Sequence, residues 1–186
     1  MTGSSNKGEF VRLALSALPE LYNAAVRLTR NEDDAEDLVQ ETYAQAFGHA
    51  DQLRNLSACR TWLFRIMRNE FLMLHRAGKT KPELLLVEGG LDQAEPAVEA
   101  TLRFERSTAA HLSREAIAQA LGRLPAELRA AVTMCDIEGF AYQEIAEIMG
   151  CPVGTVRSRI ARARKQLMRA LAAEAAALGL GKGRKP

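Results

Sequence analysis

The stretch YQEIAEIMGCPVGTVRSRIARARKQ, residues 142 to 166, decides the fold. Ile145, Ala146 and Met149 recur at helical spacing and predict a first helix with those side chains inward. Gly150 supplies the left-handed backbone that can end it. Cys151-Pro152-Val153 makes a short turn, and Pro152 suits the start of the next helix, where its missing N–H has no partner to lose. In that second helix Val153, Val156, Ile160 and Leu167 fall on one side. Thr155, Ser158, Arg162 and Lys165 fall on the other, flanked by Arg157, Arg159 and Arg164. The pattern is a helix-turn-helix with a basic second helix. Arginine can grip guanine bidentately in the major groove, while Ser, Thr and spare Arg or Lys hold phosphates. Thr155, Arg157, Ser158, Arg159, Arg162 and Lys165 are therefore the candidate DNA contacts. A basic helix alone would read as the solvated face of a bundle; the Gly150–Pro152 turn moves the reading to DNA.

Upstream, Ile117, Ala120, Leu121 and Leu124 mark one helix, and Pro125 opens another through Leu128, Val132 and Cys135, ended by Gly139. These segments complete a module over residues 113–173. Before it, from Gly78 to Leu112, Gly78, Pro82, Gly89, Gly90 and Pro96 interrupt any periodicity. The interval 78–112 reads as a flexible linker with one short helix near Val98 to Arg106. Residues 174–186 read as a tail.

A second module spans residues 8–77. Leu13, Leu18, Leu21, Ala25 and Leu28 lie at helical spacing, with Pro19 at a helix start. From Asp34 to Gly48, residues Ala35, Leu38, Val39, Thr42, Tyr43, Ala46 and Phe47 form an apolar stripe opposite Asp34, Asp37, Glu41 and Gln45. Asp33 with Glu36 resembles a capping box. A third helix, with Ser57 as its expected N-cap, carries Leu63, Ile66, Met67, Phe71 and Leu74. The expected architecture is all-α: two small helical modules joined by a linker, the C-terminal one a helix-turn-helix domain.

Composition agrees. Hydrophobic residues make up 47% of the 186 and aromatics 5%, which favours Ala- and Leu-rich helices over sheets. Net charge is only +2, but its distribution is uneven. Between Asn31 and Leu53 there are seven acids and no Lys or Arg; between Val153 and Ala173 there are six basic residues and no acid. Segregation on this scale implies two partners of opposite charge. The N-terminal residues have no signal-peptide pattern, and no run of about 18 apolar residues offers a membrane span. Cys59, Cys135 and Cys151 are far apart with no Cys-x-x-Cys spacing. Reduced thiols in a cytoplasmic protein, with no metal or other cofactor, are the expectation.

With these residues in view, CPVGTVRSRIARARKQL closely resembles the promoter-reading helix of extracytoplasmic-function (ECF) sigma factors, of the sigma-E-like group within the sigma-70 family. LGRLPAELRAAVTMCDIEGFAYQEIAEIMG is similar to the segment preceding it. DAEDLVQETYAQAF, residues 34 to 47, resembles the family's core-polymerase-binding segment, and CRTWLFRIMRNEF its minus-ten segment. The resemblance implies docking of Asp34, Asp37, Leu38, Gln40, Glu41 and Gln45 on the clamp coiled coil of the largest subunit of core RNA polymerase. It implies minus-ten contacts by Arg54, Asn55, Arg60, Trp62, Arg65, Arg68, Asn69 and Arg76, and a base-capturing pocket in the loop 51–58. Basic residues interleaved with aromatics suit phosphate contact and stacking on unpaired bases. It also implies promoter DNA as the nucleic-acid partner, minus-thirty-five reading by the basic helix, and control by an anti-sigma factor. Two departures stand out: Ala141 where the family commonly has a Ser or Thr N-cap, and Met73 where it often has Asp or Asn. The competing reading is a helix-turn-helix operator-binding regulator with an N-terminal sensing or dimerisation domain. An enzyme using the acids of residues 32 to 41 to hold Mg²⁺ has little support, since they lie along an exposed face with no convergent His or Lys.

Overall fold

The computed structural model describes residues 3–77 and 114–177. The expected linker, its short helix near 98–106 and most of the tail lie outside the described residues. Among those described, every regular element is helical. The first module contains α1 (Gly3–Ser16), α2 (Leu18–Thr29), α3 (Glu32–Gly48) and α4 (Cys59–Ala77). The second contains α5 (Arg114–Gly122), α6 (Ala126–Val132), α7 (Tyr142–Met149) and α8 (Val153–Ala177). The C-terminal pair, α7 and α8, is the helix-turn-helix.

Local chemistry explains the breaks. Pro19 sits in the first turn of α2, and Arg30 closes that helix in the left-handed region at φ 65°. A non-glycine residue there is uncommon and costs on the order of 1 kcal/mol. Asn31, not Asp33, is the N-cap of α3: its side chain accepts from the N–H of Asp33 and of Asp34, at 2.8 and 3.2 Å. Glu32, Asp33 and Asp34 then fill the first turn, where the helix dipole favours anions. Ser57 is likewise not a cap but lies inside a 3₁₀ turn, Leu56–Ala58, capped by Asn55. A π turn over Thr133–Ile137 follows α6, and Gly139 at φ 70° redirects the chain. Gly150 closes α7 at φ 61°.

Leu21, Leu38, Leu63, Phe64, Met67 and Phe71 fill the first module's interior. Burying each such side chain is worth about 1.5–3 kcal/mol. Tyr43 donates its hydroxyl to the Ala14 carbonyl at 2.6 Å and ties α3 to α1. Three residues of the expected stripes instead face outward: Leu18, Phe47 and Leu74 are exposed. Leu18 is the first residue of α2. Phe47 meets Phe10 edge to face and Tyr43 at a tilt near the C-terminal end of α3.

The modules do not keep separate interiors. A small cluster of Leu121, Leu124, Leu128, Val132 and Ala163 belongs to the second module alone. The larger core runs across both, joining Leu28, Phe64 and Met67 to Ala130, Met134, Phe140 and Ile145. At the seam the Phe64 and Phe140 rings meet edge to face, centroids 4.7 Å apart. Arg129, buried within α6, donates to the carbonyls of Gly122 and Leu124 at 3.0 and 3.1 Å and also to that of Leu28 across the seam. One guanidinium thus satisfies carbonyls near the C-terminal ends of α5 and α2, groups that helix geometry leaves unpaired.

Candidate nucleic-acid and polymerase interfaces

The acidic face of α3 follows from its apolar stripe. With Ala35, Leu38, Val39, Thr42 and Ala46 buried, Asp34, Asp37, Gln40 and Glu41 point to solvent. Gln45, half-buried, donates to Glu41 at 2.8 Å. Leu38 must be removed from the polymerase-facing set: it is 0% exposed, on the opposite face. The acids of residues 32–41 spread along the outer surface, and no group of three metal-ligating side chains converges among the described residues.

In α8, Val156, Ile160 and Ala163 are buried and fix the rotation of the helix. Arg157, Ser158, Arg162 and Lys165 consequently face solvent, and Thr155 is half-buried. Arg162 donates to the Ser158 carbonyl at 3.2 Å and lies 3.4 Å from its hydroxyl, so the two form one polar surface a turn apart. Arg159 and Arg164 turn inward instead. Arg164 pairs with Asp136 on the π turn, Nε at 3.0 Å, and that hydrogen bond raises its pKa further. Arg159 lies 3.4 Å from the Glu127 carboxylate and 3.5 Å from Cys151 Sγ. Ala141 offers no capping oxygen, but its own N–H is bound by Glu144 at 2.8 Å, so half of a capping box survives.

The minus-ten candidates are divided. Arg54, Asn55, Arg65 and Asn69 are exposed, whereas Arg60, Trp62 and Arg68 are half-buried. The side chain of Arg76 lies outside the described residues. Asn55 accepts from the Ser57 N–H and hydroxyl at 3.0 and 2.9 Å, which shapes the 51–58 loop. Trp62 packs edge-on against Phe10 at 6.0 Å. Arg60 is held by Glu20 within its own module and donates to the Glu138 carbonyl of the other at 2.7 Å. Its guanidinium also sits 3.6 Å from the Phe140 ring centroid. Arg68 reaches both oxygens of Glu127 at 2.7 and 2.8 Å. A neighbouring pair, Arg27 with Glu138 at 2.8 Å, completes the polar seam. Burial raises the Glu138 pKa, against the opposing pull of Arg27. Sequence reasoning assigned no role to Glu127, Arg129 or Glu138, whose partners are distant in the chain.

Comparison with known proteins fits this geometry. The family description "Sigma-70 region 2" matches residues 13–80, and "Sigma-70, region 4" matches residues 114–167. The chain is 37% identical over 153 residues to the ECF RNA polymerase sigma factor EcfG of Rhodopseudomonas palustris, covering 82% of this chain and 80% of that protein. The chain belongs to the ECF sigma factors. It is also 34% identical over 176 residues to the RNA polymerase sigma-H factor of Pseudomonas aeruginosa, covering 89% and 88% of the two chains. Among solved structures it is similar to the sigma factor RpoE bound to the anti-sigma factor NepR from Bartonella quintana. That similarity has 31% identity and a TM-score of 0.65, and covers 87% of this chain and 96% of that one. The first module is therefore sigma region 2 and the second sigma region 4. No described helix is long and apolar enough to cross a membrane.

Proposed function

We propose that this sigma factor docks on core RNA polymerase through the acidic face of α3 and directs initiation at promoters whose two elements are read by separate modules. Asp34, Asp37, Gln40, Glu41 and Gln45 meet a basic helical surface, the clamp coiled coil of the largest subunit. Arg54, Asn55, Arg65 and Asn69, joined by Arg60, Trp62, Arg68 and Arg76, contact the melted minus-ten strand, and the 51–58 loop holds a flipped base. Taking a base from the stack costs a few kcal/mol, so a pocket that holds it can select sequence. Arg157, Ser158 and Arg162 read the minus-thirty-five duplex, with Thr155, Arg159 and Lys165 at its edges. Met73, exposed on α4, gives the minus-ten contacts a different composition from those members with Asp or Asn there.

The observation that carries this reading is the pairing of an outward acidic helix with an outward basic one, in the order region 2 then region 4. An operator-binding regulator would have no use for region 2. The protein works in the cytoplasm as a binding subunit, without catalysis or cofactor, and an anti-sigma factor is its regulator. That partner is inferred from the NepR-bound relative. The test is sedimentation of the full chain with purified core polymerase: co-migration at one-to-one ratio is expected, and separate migration would reject the reading.

A further inference from the structure

The two DNA-facing helices share a counter-ion. Glu127, in the first turn of α6, binds Arg68 of α4 through both carboxylate oxygens and lies 3.4 Å from Arg159 of α8. Both arginines are largely enclosed, their side chains 14% and 18% exposed. At the other end of the seam the second module supplies the Glu138 carboxylate to Arg27 and the Glu138 carbonyl to Arg60. Oxygens of region 4 thus occupy Arg68 and share Arg60 with Glu20 of its own module, two of the region 2 cations suited to DNA phosphates. A carboxylate, like a phosphate, offers arginine a charge-assisted acceptor, and here a single nitrogen of Arg68, Nη2, reaches both Glu127 oxygens. With its side chain only 14% exposed, Arg68 has no open side for a phosphate while the pair is made.

We infer that Glu127 is a latch that stands in for DNA phosphate and holds Arg68 and Arg159 off DNA until the modules part. The inference rests on reading α4 and α8 as DNA-facing helices. It adds that the chain by itself restrains them and that one carboxylate releases both. Arg157, Ser158, Arg162 and Lys165 stay outward while the seam is closed. The closed form therefore keeps most of its duplex-reading face and loses only the Arg60 and Arg68 part of its single-strand face, while Arg54, Asn55, Arg65 and Asn69 stay exposed.

The test uses the full chain carrying a fluorophore pair at exposed Asn23 on α2 and Gln166 on α8. Energy transfer and affinity for mixed-sequence single-stranded DNA are measured for the native protein, Glu127→Gln, Glu138→Gln and Glu147→Gln. Glu147 is an exposed acid on α7 and corrects for the loss of one negative charge anywhere. Glu127→Gln is expected to lower energy transfer and to tighten single-strand binding at least about fivefold beyond Glu147→Gln, with Glu138→Gln moving both in the same direction. Unchanged energy transfer in both seam variants would overturn the latch. So would opening without tighter binding, or tightening no greater than in Glu147→Gln. None of these readouts uses polymerase, so a chain that fails to join core would reject the sigma reading while leaving the latch result visible by itself.

Discussion

Helices α4 and α8 carry similar arginine-rich sequences and end in different electrostatic circumstances. On α8 the buried Val156, Ile160 and Ala163 turn Arg157 and Arg162 to solvent, and Arg162 leans on Ser158 of its own helix. On α4 the apolar side is wider, and Phe64 and Met67 join the core shared with region 4. Arg60 and Arg68 are carried into the seam with them and meet Glu20, Glu127 and the Glu138 carbonyl. The difference teaches that a basic helix becomes a DNA surface only where its apolar face leaves the cations free. Two basic helices can thus differ in readiness.

The largest expected effect lies on a third helix and sets the scale for the comparison. Asp37→Arg with Glu41→Arg reverses the α3 face without entering the core. Like charges facing a basic partner cost several kcal/mol, so co-sedimentation with core polymerase should vanish while the circular dichroism spectrum is kept. Retained association would remove α3 from the docking surface.

A second change strikes the seam. Arg129→Met removes the guanidinium that binds Leu28, Gly122 and Leu124 carbonyls. Leaving buried acceptors unpaired costs about 1–3 kcal/mol each when water cannot reach them. Denaturant unfolding should show a loss of about 3 kcal/mol, and an unchanged midpoint would mean that the seam is not part of the cooperative unit.

The outward helix is tested at single positions. Arg162→Ala should cost about 1–3 kcal/mol at one base of the minus-thirty-five element. Lys165→Ala should weaken all promoters alike and flatten the salt dependence. Binding titrations on single-base promoter variants check both, and minus-ten preference should survive each change. A shift in minus-ten preference from Arg162→Ala would contradict the division between modules.

The smallest effect belongs to region 2 alone. Burial pushes the Tyr43 hydroxyl up to about 12. The unfolded phenol ionises near 10 while the folded one stays protonated, so Tyr43 opposes unfolding fully below about pH 10 and loses that contribution as pH rises towards 12. Tyr43→Phe should make thermal stability flatter across that interval; an unchanged slope would place the titration elsewhere.

Periodicity made most of this legible. The helix-turn-helix was readable because Gly150 and Pro152 punctuate two clear stripes, and the acidic face of α3 because its opposite side is continuously apolar. Leu38 shows the limit of carrying a motif over whole: the same stripe that exposes Asp37 buries Leu38. Phe47, Leu18 and Leu74 matched the period and still point outward, since periodicity marks a face but not where its covering partner ends. The cap at Asn31 went to the residue with extended backbone and a reachable carbonyl oxygen, one position before the run of acids. The seam was not legible at all. Its pairs join residues 59 and 111 positions apart, and neither spacing nor composition links Arg68 to Glu127 or Arg27 to Glu138.

The central claim is that this chain confers promoter specificity on polymerase, and run-off transcription tests it most directly. Purified core polymerase would be given a library of promoter sequences with and without the full chain. Transcripts that require the chain, and that share one minus-thirty-five and one minus-ten sequence, are the predicted result. Transcription that is unaffected by the chain, or that it changes without sequence preference, would contradict the account.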